Sequence, residues 1–305
     1  MKGREPVEEL EVEAEAVATP QGAATPETEA RVESEATGEE SRAGLYGTAW
    51  RTGLPTVFAI ARRELGSYFV SPMAWVVGAL VILPVSLFGY LIPVLGQQQA
   101  TMDNVFSLIA FLYLFLVPLY TMRLIAEERR QGTLEMLLAS PVRDSELVIG
   151  KWLGGVGFLL ATTAFTLVYV ILFAVYLPDK IKPFGLSWLQ VGNLDWGLLI
   201  SGYAGLVLAG ATFVAIGLLA SSLTQNQIIA AVVGVVALLL IWYLGAFAQF
   251  IGPPYDQFFD YAGGQNHYQA FSRGQIFLKD ALYFASLIAG SLFLATRVIE
   301  SRRWL

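Results

Sequence analysis

The sequence predicts an all-α polytopic membrane protein with six transmembrane helices, and three observations carry the prediction. Hydrophobic residues fill 55% of the 305 positions and charged residues only 14%, with a mean hydropathy of +0.58; a soluble domain holds roughly 45–50% and about 25%. Uncharged windows recur at the ~20 residues that a helix needs to cross a hydrocarbon core of ~30 Å. Lysine and arginine gather on alternate connections, the bias that sets orientation in a bilayer.

In chain order, residues 1–50 come first. They hold twelve glutamates and four bases, a net −8, whereas 51–305 hold thirteen acids and fifteen bases. The segment is rich in Glu, Ala, Thr, Pro and Gly and nearly free of aromatics. It cannot bury enough apolar surface to offset its ordering entropy, so 1–50 is expected to be an acidic disordered tail and 51–305 a six-span membrane domain. A cleaved leader is not expected, because the first long apolar run begins only near Met73 and the residues before it are acidic.

Residues 55–70 form a candidate amphipathic helix. Phe58, Ala61, Leu65 and Phe69 fall on one face, with Arg63 and Ser67 opposite and Arg62 free to extend its head group to the interface. Pro55 suits a helix start and Ser71-Pro72 argues for a break before the first span. An interfacial helix is therefore favoured over an inward extension of that span.

The spans follow at 73–95, 105–122, 147–177, 196–219, 228–251 and 281–296. Lys151 interrupts the third near its start. The polar run from Ser221 to Gln227 separates the fourth from the fifth, and the sixth can be lengthened through Leu278 and Val298. Six crossings return both termini to one side. That side carries fifteen of the nineteen basic residues; Lys180, Lys182, Arg273 and Lys279 lie on the other. Both termini are thus expected in the cytoplasm of a multi-pass protein of the cell membrane, inner or plasma. The connection 252–280, dense in Tyr and Phe, fits short interfacial or re-entrant helices better than a water-exposed loop.

The connection 123–151 is the sizeable polar segment on the cytoplasmic side. Glu127, Glu128, Arg129 and Arg130 form a charge cluster. Gly132 is placed to stop the helix leaving the membrane. Thr133 can cap a new one with Glu135 in its first turn, and Asp144 or Ser145 can cap the following span. Leu134, Leu137 and Leu138 form one apolar stripe, and Ser140-Pro141 ends the helix. That stripe is suited either to packing against the membrane and the inner span ends or to seating in a groove of a soluble partner.

The run Glu127-Glu128-Arg129-Arg130-Gln131-Gly132-Thr133-Leu134-Glu135-Met136-Leu137-Leu138-Ala139-Ser140-Pro141, followed by Gly150-Lys151, resembles the loop between the second and third spans of ABC-2 type transporter permeases. Within that family it looks most like the gliding-motility and nitrous-oxide-reductase-maturation permeases. Phe271 to Ile276, Asp280 to Phe284 and Arg297 to Trp304 resemble the same subgroup's last hairpin. The resemblance implies that the loop helix is a cytoplasmic coupling helix docking into a separate ATPase subunit. It implies that two permease protomers, alike or related, pair around a pathway that usually serves export. The helix before the first span would be the family's connecting helix, and the 252–280 connection would hold re-entrant helices. ATP and magnesium would be bound by the partner, and no cofactor by this chain.

Several functions are disfavoured. No phosphate-binding G-x-x-x-x-G-K-[ST] occurs, since Gly150-Lys151 is followed by Trp152, so ATP hydrolysis in this chain is not expected. With no cysteine there are no disulfides, thiolate metal sites or cysteine nucleophiles. The central thirds of the spans lack Asp, Glu and His, which disfavours a proton-coupled carrier and an intramembrane protease. The single histidine, His267, shows no sequence partner and reads as an interfacial polar contact. Gly154, Gly155, Gly157, Gly202, Gly205, Gly210 and Gly217 read as close-packing positions, and Pro84, Pro93 and Pro118 as kinks. Nucleic acid is not an expected partner. A non-transporting membrane anchor that recruits soluble machinery through the same loop is the alternative function.

Overall fold

The computed structural model describes residues 53–92, 102–138, 142–176, 180–181, 191–192 and 195–302. The acidic segment 1–50, Pro93 and Pro141 fall outside these, as do the side chains of Glu135 and Leu138. The described residues form helices joined by turns, together with one antiparallel pair, β1 (Lys180–Ile181) and β2 (Val191–Gly192), with Lys180 opposite Gly192. Among them, six segments are long and apolar enough to cross a membrane: Pro72–Leu91, Met102–Gln131, Asp144–Leu172, Trp196–Leu223, Gln227–Ile251 and Leu278–Ser301.

The first helix, α1 (Leu54–Val70), is separated from α2 (Pro72–Pro84) at Ser71, whose side chain accepts from the Met73 N–H. Proline at the start of α2 needs no such partner. Pro84 does not break α2; the helix widens into a π-helical stretch, Val85–Leu91. There Tyr169 donates to the Ile82 carbonyl at 2.9 Å and contacts the Ser86 hydroxyl at 2.7 Å. Next come α3 (Met102–Thr121), α4 (Arg123–Gln131) and α5 (Thr133–Leu138). They are followed by α6 (Asp144–Phe165) and α7 (Leu167–Tyr176), then α8 (Trp196–Leu223) and α9 (Gln227–Tyr243).

The core is built around α8, which packs against α3, α6, α9 and the later helices. Its most apolar stretch is 78% buried in the protein, against 28% for the first and fifth spans and 22% for the last. Helices approach this closely because glycines remove side chains from the contact. Gly202 seats the Phe106 ring, Gly205 seats Phe271, Gly210 seats Leu159 and Gly217 seats Thr121. On α6, Gly155 faces Val214 of α8 while Gly154 and Gly157 face α1. All seven glycines read as close-packing positions do that work. Pro118 stays inside α3 and lies against Gly234 of α9.

Two expected boundaries move. Ser221 and Ser222 belong to α8 and are buried, so the break is confined to Thr224–Asn226, where Asn226 Oδ1 accepts from the Ile228 and Ile229 N–H groups. Polar composition alone suggested a longer loop, but both hydroxyls find carbonyl partners. The sixth span also outgrows 281–296: α13 runs Leu278–Arg302, with Lys279 and Asp280 at one end and Arg297 and Glu300 at the other.

Between α9 and α13 lie a 3-10 turn (Leu244–Phe247) and three short helices, α10 (Ala248–Ile251), α11 (Asp256–Ala262) and α12 (Gly264–Ser272). They are tied to the spans by polar bonds. The Tyr268 hydroxyl donates to Phe106 O at 3.0 Å, Ser201 to Phe271 O at 2.7 Å and Tyr283 to Ala262 O at 2.7 Å. His267 is corrected from the partnerless contact the sequence suggested. It is 5% exposed and its Nδ1 lies 2.6 Å from Asp280 Oδ1, a partner thirteen residues away that only folding brings near.

Candidate functional site at the Lys151 end

The antiparallel pairing of α3 and α6 determines what meets at this end of the bundle. Tyr113 lies against Thr162 and Thr163, Tyr120 against Gly155 and Phe158, and one further step along brings α4 to Lys151. The junction between α3 and α4 is set by Ser221. Its hydroxyl donates to Met122 O at 2.9 Å and accepts from the Ile125 and Ala126 N–H groups at 3.1 and 3.0 Å. A side chain inserted into the helical ladder is a recognised cause of a helix break. Arg129, the next basic residue, donates to Ser222 O at 2.9 Å. The charge cluster is thus anchored to α8 on one side.

On its other side it meets α1. This helix runs beside α6 in the same direction: Val57 and Ile60 lie at Gly150, Ala61 and Glu64 at Gly154, Leu65 at Gly157 and Tyr68 on Phe158. The face predicted from periodicity is therefore split. Ala61 and Leu65 pack on α6 and Phe69, though partly exposed, meets the Phe158 ring edge-on at 6.1 Å, while Phe58 (69% exposed) and Arg62 are exposed. The packed stripe is Val57, Ala61, Glu64 and Tyr68, and the reason lies in α6. Its glycines carve a groove that accepts Ala61 and Glu64 closely, and periodicity on α1 alone cannot report it.

The consequence is a buried charge centre. Lys151, 1% exposed, donates to Glu64 Oε1 at 2.9 Å and to Glu128 Oε1 at 2.7 Å. A buried ammonium is tolerated only with such partners. Arg63, largely exposed, reaches the same two oxygens at 3.3 and 3.5 Å. Beside them Arg123 pairs with Glu127 at 2.8 Å and donates to Ser71 Oγ at 3.3 Å, while Gln131 donates to Glu127 at 3.3 Å. Lys151, Glu64, Glu127, Glu128, Arg123 and Gln131, with Ser67, Tyr68 and Leu124, line a cavity of about 200 Å³. Burial, reinforced by Glu64, pushes the Tyr68 hydroxyl well above its ordinary range. It stays protonated and donates to Tyr120 O at 3.3 Å.

The elbow beyond Glu128 is rigidly made. Gly132 closes α4 in the left-handed conformation, φ 71°, which costs little only for glycine. Thr133 does not cap α5 as expected; its hydroxyl donates back to Glu128 O at 3.3 Å and closes the preceding helix instead. Nor do Asp144 and Ser145 cap α6. Arg143 holds the cap position and its N–H donates to Glu146 at 3.4 Å. Leu134 is buried in the chain's own core and Leu137 is half-buried.

Of the residues singled out from sequence, Glu127, Glu128, Arg129, Gly132, Thr133 and Leu134 come together here. Arg63 meets them from α1 and Leu65 packs on α6 at Gly157, while Phe58 and Arg62 do not join the cluster. Glu64, Tyr68, Arg123 and Lys151 were missed as site residues. The available signal was Lys151 itself, a cation inside an apolar run that requires a carboxylate from somewhere. The arrangement sets its carboxylates against cations: Glu64 and Glu128 on Lys151, Glu127 on Arg123. Chemically it is a brace joining α1, α4 and α6 through one ammonium.

A family model described as "ABC-2 family transporter protein" matches residues 90–263, more than half of the chain. The matched region takes in α3 to α11, with Glu127 to Pro141 and Lys151, and leaves Glu64 outside it. No curated protein matches the chain.

Proposed function

The chain belongs to the ABC-2 transporter family, and on that premise we propose that this multi-pass permease is driven by a separate ATPase subunit that grips the α4–α5 elbow. The observation that carries the reading is the Lys151 centre. A push on α5 passes through the rigid Gly132 corner to α4, and from Glu128 through Lys151 to α6 and α1 together. Motion of one element therefore becomes rigid-body motion of several, the class of transition that switches transporters between two states. Two such protomers would form the pathway, with both termini in the cytoplasm, α1 as the connecting helix at the inner interface and export as the direction. The gliding-motility and nitrous-oxide-reductase-maturation permeases are the subgroup proposed.

The test is copurification of the full chain in mild detergent, with any bound subunit identified by its Walker A sequence and its ATP hydrolysis. Retention of an ATPase by the natural chain, and its loss from Glu135→Lys and Leu137→Glu variants that still insert in the membrane, supports the proposal. No ATP-hydrolysing subunit on the natural chain, or equal retention by both variants, overturns it.

A further inference from the structure

The far end of the bundle holds a second buried charged pair that the transport reading does not use. His267 on α12 and Asp280 on α13 have side chains only 6% and 3% exposed. The ring is sandwiched, stacked on Tyr283 at 4.1 Å and met edge-on by Tyr261 at 5.1 Å. Its two nitrogens are both engaged. Nε2 lies 2.7 Å from Tyr261 O, and Nδ1 lies 2.6 Å from Asp280 Oδ1.

Counting protons leaves few choices. A carbonyl can only accept, so Nε2 must carry a hydrogen. A neutral ring then has a bare lone pair at Nδ1, and that lone pair cannot sit 2.6 Å from a bare carboxylate oxygen. One more proton has to lie between them, on the ring as an imidazolium or on Asp280 as a carboxylic acid. Either way the pair is neutral overall. Asp280 Oδ2, buried and without a hydrogen-bond partner, is consistent with a group whose full negative charge is not left to stand alone.

We propose that His267 and Asp280 form a proton-binding site, and that the proton they share fastens α11 and α12 to the start of α13. The ligand is the proton itself. Its removal would leave one uncompensated negative charge in a buried site. The ionisable groups around it are Asp260 and Tyr261 on α11, Lys279 and Tyr283 on α13, and Asp103 of α3 near Tyr268. α8 and α9 bring no charged residue. Lys279 is the one cation among these, and Asp260 shares its cavity wall. Loss of the proton therefore weakens the attachment of α11 and α12 to the start of α13.

The chain has a single histidine, which makes the test direct. The full-length protein, labelled with ¹⁵N-histidine in lipid nanodiscs at pH 7, should show a protonated Nε2 and no resonance at the position of an unbonded imine nitrogen. A ring with bare Nε2, or with an unbonded Nδ1, overturns the proposal without any variant. Hydrogen exchange supplies the second readout. After correction for intrinsic exchange, one-proton linkage raises the opening constant of α11–α12 amides up to tenfold per pH unit over the range in which the closed site holds the proton and the opened one has released it. Asp280→Asn, whose amide can donate to a bare Nδ1, should abolish that pH response while keeping the contact. An equal pH response in the natural and Asp280→Asn proteins overturns the proposal.

Discussion

Replacing Lys151 with methionine removes the one ammonium that two carboxylates share and keeps most of the side-chain volume. Glu64 and Glu128 are then left with side chains only 13% and 16% exposed. Taking one partner out of a buried ion pair costs about 3–5 kcal/mol, because the charge left behind is neither solvated nor paired. Arg63 lies within 3.5 Å of both acids, but at 59% side-chain exposure it can return no more than about 1 kcal/mol. The net loss is about 2–5 kcal/mol, which at ~1.4 kcal/mol per decade raises the local opening constant roughly 30- to 4,000-fold. The assay is hydrogen exchange of the Arg123–Gln131 and Leu54–Val70 amides in nanodiscs, with the α8 amides as internal reference. A control separates the charge argument from a packing defect. The triple variant Glu64→Gln, Glu128→Gln, Lys151→Met has no charge left to strand, and buried ion-pair sets replaced whole are often near neutral. It should therefore recover most of the lost protection. Natural protection in Lys151→Met, or a triple variant as loose as the single one, would refute the reasoning.

Two further outcomes test the packing that places this centre. Gly154→Leu puts a β-carbon 2.6 Å from Glu64 Cβ and 3.1 Å from Ala61 O; overpacking of this kind costs about 1–3 kcal/mol. It should part α1 from α6, read as a lower thermal midpoint and faster proteolysis at Ser71. Ser221→Ala removes one hydroxyl that serves three backbone groups at the α3–α4 junction. Stranding buried backbone partners costs about 1–3 kcal/mol, so exchange at Ile125 and Ala126 should rise about ten- to a hundredfold while α9 is unchanged.

Much of the elbow was readable along the chain because its determinants are local. Gly132 stops α4 by its own left-handed backbone, and Glu127, Glu128 and Arg129 follow one another on one helix. The rest was hidden because its partners lie far apart in sequence. Glu64 is 87 residues from Lys151, and nothing in the periodicity of α1 distinguishes Glu64 from the exposed Arg63 beside it. Thr133 illustrates the same limit at short range. A threonine at a helix start satisfies a capping pattern, yet its hydroxyl donates to the Glu128 carbonyl of the previous helix.

By itself the sequence determined six segments long and apolar enough to cross a bilayer, as found among the described residues, and roughly where each ends, since apolar length and charge spacing act within each segment. It also determined that small residues would let the spans approach closely. Only the tertiary structure decided which helix became the hub, which face of α1 was packed and which carboxylates neutralised Lys151. It likewise decided that His267 and Asp280 would share a site. Those outcomes depend on side chains from different helices competing for the same few ångströms, and that competition is settled only when the helices are brought together.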